Sequence, residues 1–239
     1  YNQIFSEGSA GLLIENNNGG KIGTYKGEFF NNFPGAKFIP IKSDELLQND
    51  NQPIYNIPVE KPFKITLDGN SLTKTELTDV VMIGPGYDVG IEDIQLEPND
   101  KDTINFASNG QSLTYTSSSS EAPNIIFGIV TPSYDYEFEL NSIEIDPYGT
   151  ISAELDTDKG QLKIHIDKTE DDAIFDLIIN RIGDSSEEEF TGEDIELAAG
   201  DDLYIDYGEW EGNGTQLELE LDDDTNGSTD KIILIEDNE

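Results

Sequence analysis

LELELDDDTNGSTDKIILIEDNE (residues 217–239) holds the pattern that decides the fold. Leu217, Leu219 and Leu221 alternate with Glu218 and Glu220, and a second strand candidate, Lys231–Ile235, follows an acidic loop over 222–230. Side chains two apart share one face of a strand, so an alternating run buries one face and wets the other. Two such runs around a short polar loop read as a hairpin. The loop crowds carboxylates that repel one another unless something positive sits between them.

Upstream the same period of two recurs. GLLIENNNGGKIGTY gives a strand from Gly11, a turn at Asn16–Gly20 and a second strand to Tyr25. The Asn and Gly residues supply the positive φ angles of tight turns. GQLKIHID sets Leu162, Ile164 and Ile166 on one face and Lys163 and His165 on the other, and DLYIDY turns Leu203 and Ile205 inward. Further candidates lie at 36–42, 53–59, 62–67, 79–83, 91–96, 103–107, 112–116, 124–130, 134–141, 150–156, 173–181 and 216–221. No segment carries a helical stripe. SDELLQND (43–50) is expected to form one helical turn capped by Ser43.

Many short strands separated by Gly, Pro, Asn and Asp predict an all-β chain of tandem, immunoglobulin-like β-sandwich domains. The Pro-Tyr-Gly turn in IEIDPYG (143–149) sets the expected boundary. An N-terminal sandwich region would cover 1–145, as one unit or as two split near 71–78, and a C-terminal immunoglobulin-like sandwich would cover 146–239. TSSSSEAP (116–123) reads as a polar loop, and no clean internal repeat stands out.

Charge is extreme. Among 239 residues, 51 are acidic and 13 basic, for a net charge of -38. Such a surface repels phosphates, which excludes nucleic acid and anionic membranes as partners. It favours cations, cationic partners or very salty water. Twelve of the basic residues are Lys and one, Arg181, is Arg. A chain adapted to high salt is expected to carry less Lys and Ile, and halophily stands as the alternative source of the acidity. The absence of Cys removes disulfides, thiolate catalysis and Cys-ligated metals. No apolar run reaches the ~18 residues of a membrane span. The chain begins at Tyr1, so a processed mature chain or a fragment of a longer one is expected.

Asp222, Asp224, Asn226, Gly227 and Asp230 fit the spacing D-x-D-x-[DN]-G-x-x-D. Calcium takes six to eight hard oxygens, and side chains at alternate loop positions converge on one point when the chain curls around it. Gly227 permits the sharp turn, Ser228 offers a carbonyl, and Asp230 ligates directly or through water. The helix-loop-helix version needs a Glu where this chain has Ile233, so the expected site is a calcium loop closing a β-hairpin. Magnesium fits less well because it demands near-octahedral geometry. A second, weaker candidate is Asp156 with Asp158, ahead of Gly160. The pairs Asp100/Asp102, Asp171/Asp172 and Asp201/Asp202 read as solvated loop charges. Asn213 and Asn226 head glycosylation sequons, and a glycan on Asn226 would compete with calcium. GPGYDVG (84–90) reads as a turn, since a strand and not a helix follows it.

Catalysis is not expected. A Ser-His-Asp triad would have to use His165, the single His, which is expected to face solvent beside Lys163, and no G-x-S-x-G occurs. One His is too few for a hydrolytic metal site. Trp210 with Tyr204 and Tyr207 offers a sugar platform on paper, but Trp210 is expected to plug the base of the last sandwich.

The runs FDLIINRIG, IELAAGDDLYIDYGEW and LELELDDDTNGSTDKIILI make residues 146–239 resemble the calcium-binding β-sandwich modules near the C-termini of large secreted bacterial and archaeal surface proteins and hydrolases. GSAGLLIENNNGGKIG and FPGAKF resemble the preceding modules more faintly. The resemblance implies an extracellular or cell-surface, non-catalytic structure stabilised by calcium. The expected function is a structural or adhesive subunit of a surface layer, fibre or matrix. The alternative is the non-catalytic, carbohydrate-binding tail of a secreted hydrolase. Self-assembly into an oligomer or filament is expected through calcium bridging and through Tyr1–Ser9, an almost uncharged segment that reads either as a strand for a neighbour's sheet edge or as the first strand of its own domain.

Overall fold

A computed structural model describes residues 1–40, 53–59, 61–167 and 172–238. The described residues hold twenty strands. The first seven are β1 (Asn2–Glu7), β2 (Gly11–Asn16), β3 (Lys21–Tyr25), β4 (Glu28–Asn31), β5 (Lys37–Ile39), β6 (Ile54–Ile57) and β7 (Phe63–Asp68). Then come β8 (Glu76–Gly84), β9 (Tyr87–Leu96), β10 (Lys101–Phe106), β11 (Ser112–Thr116), β12 (Asn124–Val130) and β13 (Asp135–Asn141). The last are β14 (Thr150–Asp156), β15 (Gln161–Asp167), β16 (Ala173–Ile182), β17 (Glu187–Leu197), β18 (Asp202–Ile205), β19 (Leu217–Asp222) and β20 (Lys231–Ile235). The helical turn expected at 43–50 lies outside the described residues. Among them no helix is long and apolar enough to cross a membrane.

The strands form two large antiparallel sheets. One runs β17-β16-β13-β12-β9-β8-β1-β6-β5 and the other β20-β19-β18-β15-β14-β11-β10-β7-β2-β3-β4. Their inward faces share one apolar core that extends from Ile4 and Leu12 to Leu217 and Leu219. Both sheets run past the boundary expected at 145–146, because β11 pairs with β14 and β13 with β16.

From β8 onward the chain lays down hairpins alternately. The pairs β8–β9, β12–β13 and β16–β17 belong to one sheet, while β10–β11, β14–β15 and β18–β19 belong to the other. Each new hairpin pairs with the previous one in its own sheet. This order carries an internal repeat that the sequence hides. EDIQL (92–96), NSIEI (141–145) and EDIEL (193–197) occupy the same place, where the second strand of each hairpin of the first sheet ends. In each, the second residue has a left-handed backbone, with φ of 58° at Asp93, 58° at Ser142 and 53° at Asp194. Each of these N–H groups donates to an oxygen on the preceding strand: Asp93 to Asp79 Oδ1 (2.9 Å), Ser142 to Asn124 Oδ1 (2.8 Å) and Asp194 to Asp176 Oδ1 (2.9 Å). The kink turns Ile94, Ile143 and Ile195 into the core just before the chain crosses to the other sheet.

The N-terminal segment pairs within its own sheet, the second of its two readings, and not as a strand held out for a neighbour. Asn2–Glu7 is not a free segment but an interior strand, paired with β6 on one side and β8 on the other. Asn2 is buried, donates to the Ser108 carbonyl (3.0 Å) and accepts from the Tyr87 hydroxyl (2.7 Å). A strand bonded along both edges has none left to give to a neighbour.

Candidate metal centre

The acidic loop joins β19 to β20, whose register closes it at Leu221↔Lys231. Asp222 is the last residue of β19 and faces Asp202 of β18 across the sheet. It points away from the core, yet it is buried, because the loop folds back over it. Its Oδ2 accepts from the Gly227 N–H (2.7 Å) and its Oδ1 from the Asn226 N–H (3.2 Å). Burial pushes the Asp222 carboxyl up, but these donors outweigh it and leave the group below the ordinary carboxylate range. Asp224 Oδ1 also accepts from the Asn226 N–H (3.2 Å), and Asp230 Oδ2 accepts from the Asp223 N–H (3.1 Å). Thr225 (φ 52°) and Gly227 (φ 84°) take left-handed conformations to make the curl.

One carboxylate oxygen each from Asp222, Asp224 and Asp230 lies within 4.8 Å of the other two. Three of the five expected ligands are therefore brought together. Asn226 enters through its backbone N–H, and Ser228 sits exposed beyond Gly227. Negative charge concentrates here. The Asp230 carboxylate pushes Asp223 up, and Asp201 is raised by burial and by the carboxylates of Asp172, Asp202, Asp222 and Asp230. The arrangement can hold a hard cation in an all-oxygen setting.

Beside the loop, Asp202 is buried and engaged by two side chains. Lys163 Nζ lies 2.7 Å from its Oδ2 and His165 Nδ1 2.9 Å from its Oδ1. Burial lowers Lys163, and its Asp202 partner more than restores it, leaving it raised. His165 is thus half-buried and bonded to an acid rather than facing open solvent. Ser152 stands opposite His165 on β14, its hydroxyl 3.3 Å from that of Thr114.

The second candidate behaves differently. Asp156 Oδ1 accepts from the N–H groups of Asp158 (3.2 Å) and Lys159 (3.1 Å), and its Oδ2 lies 3.3 Å from Lys159 Nζ. A resident lysine supplies the positive charge, and among the described residues Asp156 and Asp158 join no group of three ligating side chains. A group the sequence reading missed does form: Asp206, Glu218 and Glu220 converge on the outer face of the β18–β19 hairpin. The outward Glu218 and Glu220 were visible in the alternation, but Asp206 joins them only through strand register. Asp102, expected in solvent, is buried as well.

The aromatic residues form no platform. Tyr207 packs on Phe138 (4.8 Å) and Tyr136 (5.1 Å), and burial pushes its hydroxyl up to about 12. Trp210 is buried against Phe190 and the Arg181 guanidinium, while Tyr204 lies under Lys163 on the opposite face of the sheet. No protein-family model, curated protein or solved structure matches the chain.

Proposed function

We propose that this protein is a non-catalytic, calcium-stabilised structural or adhesive subunit that works at the cell surface or in an extracellular matrix and associates with copies of itself. The observation that supports it best is the loop of Asp222, Asp224 and Asp230, whose oxygens converge on one point while backbone N–H groups hold Asp222 ionised. A hairpin tip that gathers like charges is unfavourable unless a cation offsets them. The layered sandwich supports a load-bearing role, and residues 146–239 contribute β14–β20 to it, two strands in one sheet and five in the other.

A cation that binds only the folded chain adds RT ln(1 + [L]/Kd), about 2.7 kcal/mol at a hundredfold excess over Kd. Thermal melts with chelator, millimolar calcium, millimolar magnesium and molar KCl test the reading. Calcium should raise the melting temperature more than magnesium, and to an extent that otherwise needs molar salt. Melts that respond to KCl alone would transfer the acidity to salt adaptation and remove the calcium reading.

A further inference from the structure

The two ends of the sandwich differ. At one end the outermost strands are β4 and β5, and at the other they are β20 and β17. Among the described residues nothing pairs with the outer edge of β4 or of β20. The β17 edge is already engaged over its middle: the Glu189 N–H donates to Asn213 Oδ1 (2.9 Å), and the Thr191 carbonyl accepts from the Asn238 N–H (3.0 Å). The sheet ending in β4 and β20 is therefore the one with an open edge at both ends.

Both open edges are apolar. On β20, Ile232 and Leu234 are each 57% exposed, and on β4 Phe29 is 50% exposed. Phe29 meets Phe38 of β5 edge to face at 5.1 Å, so one aromatic pair spans the two sheets at that end, with Ile39 (46% exposed) beside it. An uncovered edge strand with apolar side chains is a template for pairing with another chain.

Charge sorts the ends into opposites. Residues 1–74 hold seven basic and eight acidic residues, net -1, while residues 75–239 hold six basic and forty-three acidic, net -37. At the β4 end, Lys26 and Lys37 lie over the rings of Tyr25 and Tyr1 with no carboxylate at ion-pair distance among the described residues. At the other end, Glu193, Glu196, Asp201 and Glu236 rim a mouth between β17 and β20 whose floor includes Ile233 and Ile235. Two acidic ends repel each other, whereas a lysine-bearing end and an acidic end attract.

We propose that copies of this chain join head to tail, the β4 edge of one copy adding to the β20 edge of the next and continuing the sheet. The proposal rests on the self-associating reading above and supplies its geometry. The two surfaces are different, so the contact is heterologous, and it propagates into a chain of copies instead of stopping at a two-fold dimer.

Sedimentation velocity over a concentration series, in millimolar calcium, decides it with three samples. Wild type should grow in mass without a plateau. I232T/L234T, with the β20 end blocked, and F29T/F38T, with the β4 end blocked, should each run as monomers. Mixed in equal amounts they should form dimers that stop at two, because each retains one competent end. Threonine keeps strand propensity at exposed positions, and circular dichroism verifies the fold. If a double variant misfolds, L234T or F29T takes its place. Wild type that grows while both blocked variants grow equally would overturn the head-to-tail contact and leave self-association standing. Wild type that stays monomeric at every concentration would remove both.

Discussion

Asp102 and Glu121, two buried carboxyls, meet on either side of a single phenol, the Tyr115 hydroxyl, which lies 3.1 Å from Asp102 Oδ2 and within hydrogen-bonding distance of Glu121 Oε1. A phenol has one proton, so it can donate to only one of them. Satisfying the other contact requires a proton on a carboxyl. Burial pushes both acids up, against the lowering effect of the Ser118 and Gln95 N–H donors.

Stability should therefore fall as pH rises through this cluster. A carboxyl whose pKa is raised on folding contributes stability that is fully present below its unfolded pKa, near 4, and is lost as pH climbs through its folded pKa. Glu121→Gln should flatten that decline by on the order of 1 kcal/mol, since its amide can donate to the phenol at any pH. Urea midpoints of both chains across a pH series check this. Parallel curves would show that the proton is not shared here.

Calcium dependence should separate two aspartates of the loop. Asp222 is the acceptor for two backbone N–H groups, so Asp222→Ala should lower the melting temperature even in chelator. Asp224→Ala removes an exposed side chain with one long hydrogen bond, so it should leave the chelated melt almost unchanged and abolish the calcium shift.

The recurring kink predicts a matched set of mutants. Asp79→Ala, Asn124→Ala and Asp176→Ala each remove the acceptor for a kinked N–H and should each cost about 0.5–1.5 kcal/mol in urea unfolding. Ser142→Gly should instead stabilise, by up to about 1 kcal/mol, because a left-handed backbone is strained for a residue with a Cβ. A loss of stability at Ser142→Gly would count against that strain.

Arg181 is expected to resist conservative change. Its Nε and Nη2 both reach Glu188 Oε2 (2.7 and 2.6 Å), its Nη1 donates to the Trp210 carbonyl (2.8 Å), and its Cζ lies 4.6 Å from the centroid of the Trp210 ring. Lysine cannot reproduce a fork that stacks and donates at once, so Arg181→Lys should cost about 1–3 kcal/mol. Trp210 is the sole tryptophan, so its emission reports the change directly.

Strand positions were legible where alternation was clean: 112–116, 124–130 and 150–156 match β11, β12 and β14 to the residue. β17 was missed because EEEFTGEDIEL places acids where apolar residues should alternate, and the kink at Asp194 breaks the period. β4 was missed because four residues are too few to show a period. The convergence of Asp222, Asp224 and Asp230 was readable because loop spacing is local. Asp202 with Lys163 and His165, and Asp206 with Glu218 and Glu220, were not, since each needs the register between separate strands. The repeat escaped for a related reason: its shared signal is five residues long and recurs only about every fifty.

Because each hairpin from β12 onward pairs with the previous one in its own sheet, the molecule is close to one-dimensional in energy. Its cohesion is a sum over neighbours rather than a property of a centre. Heat or force applied to such a body would peel it unit by unit from its weakest end, and a joint that covers an end would slow that fraying along the whole row of subunits.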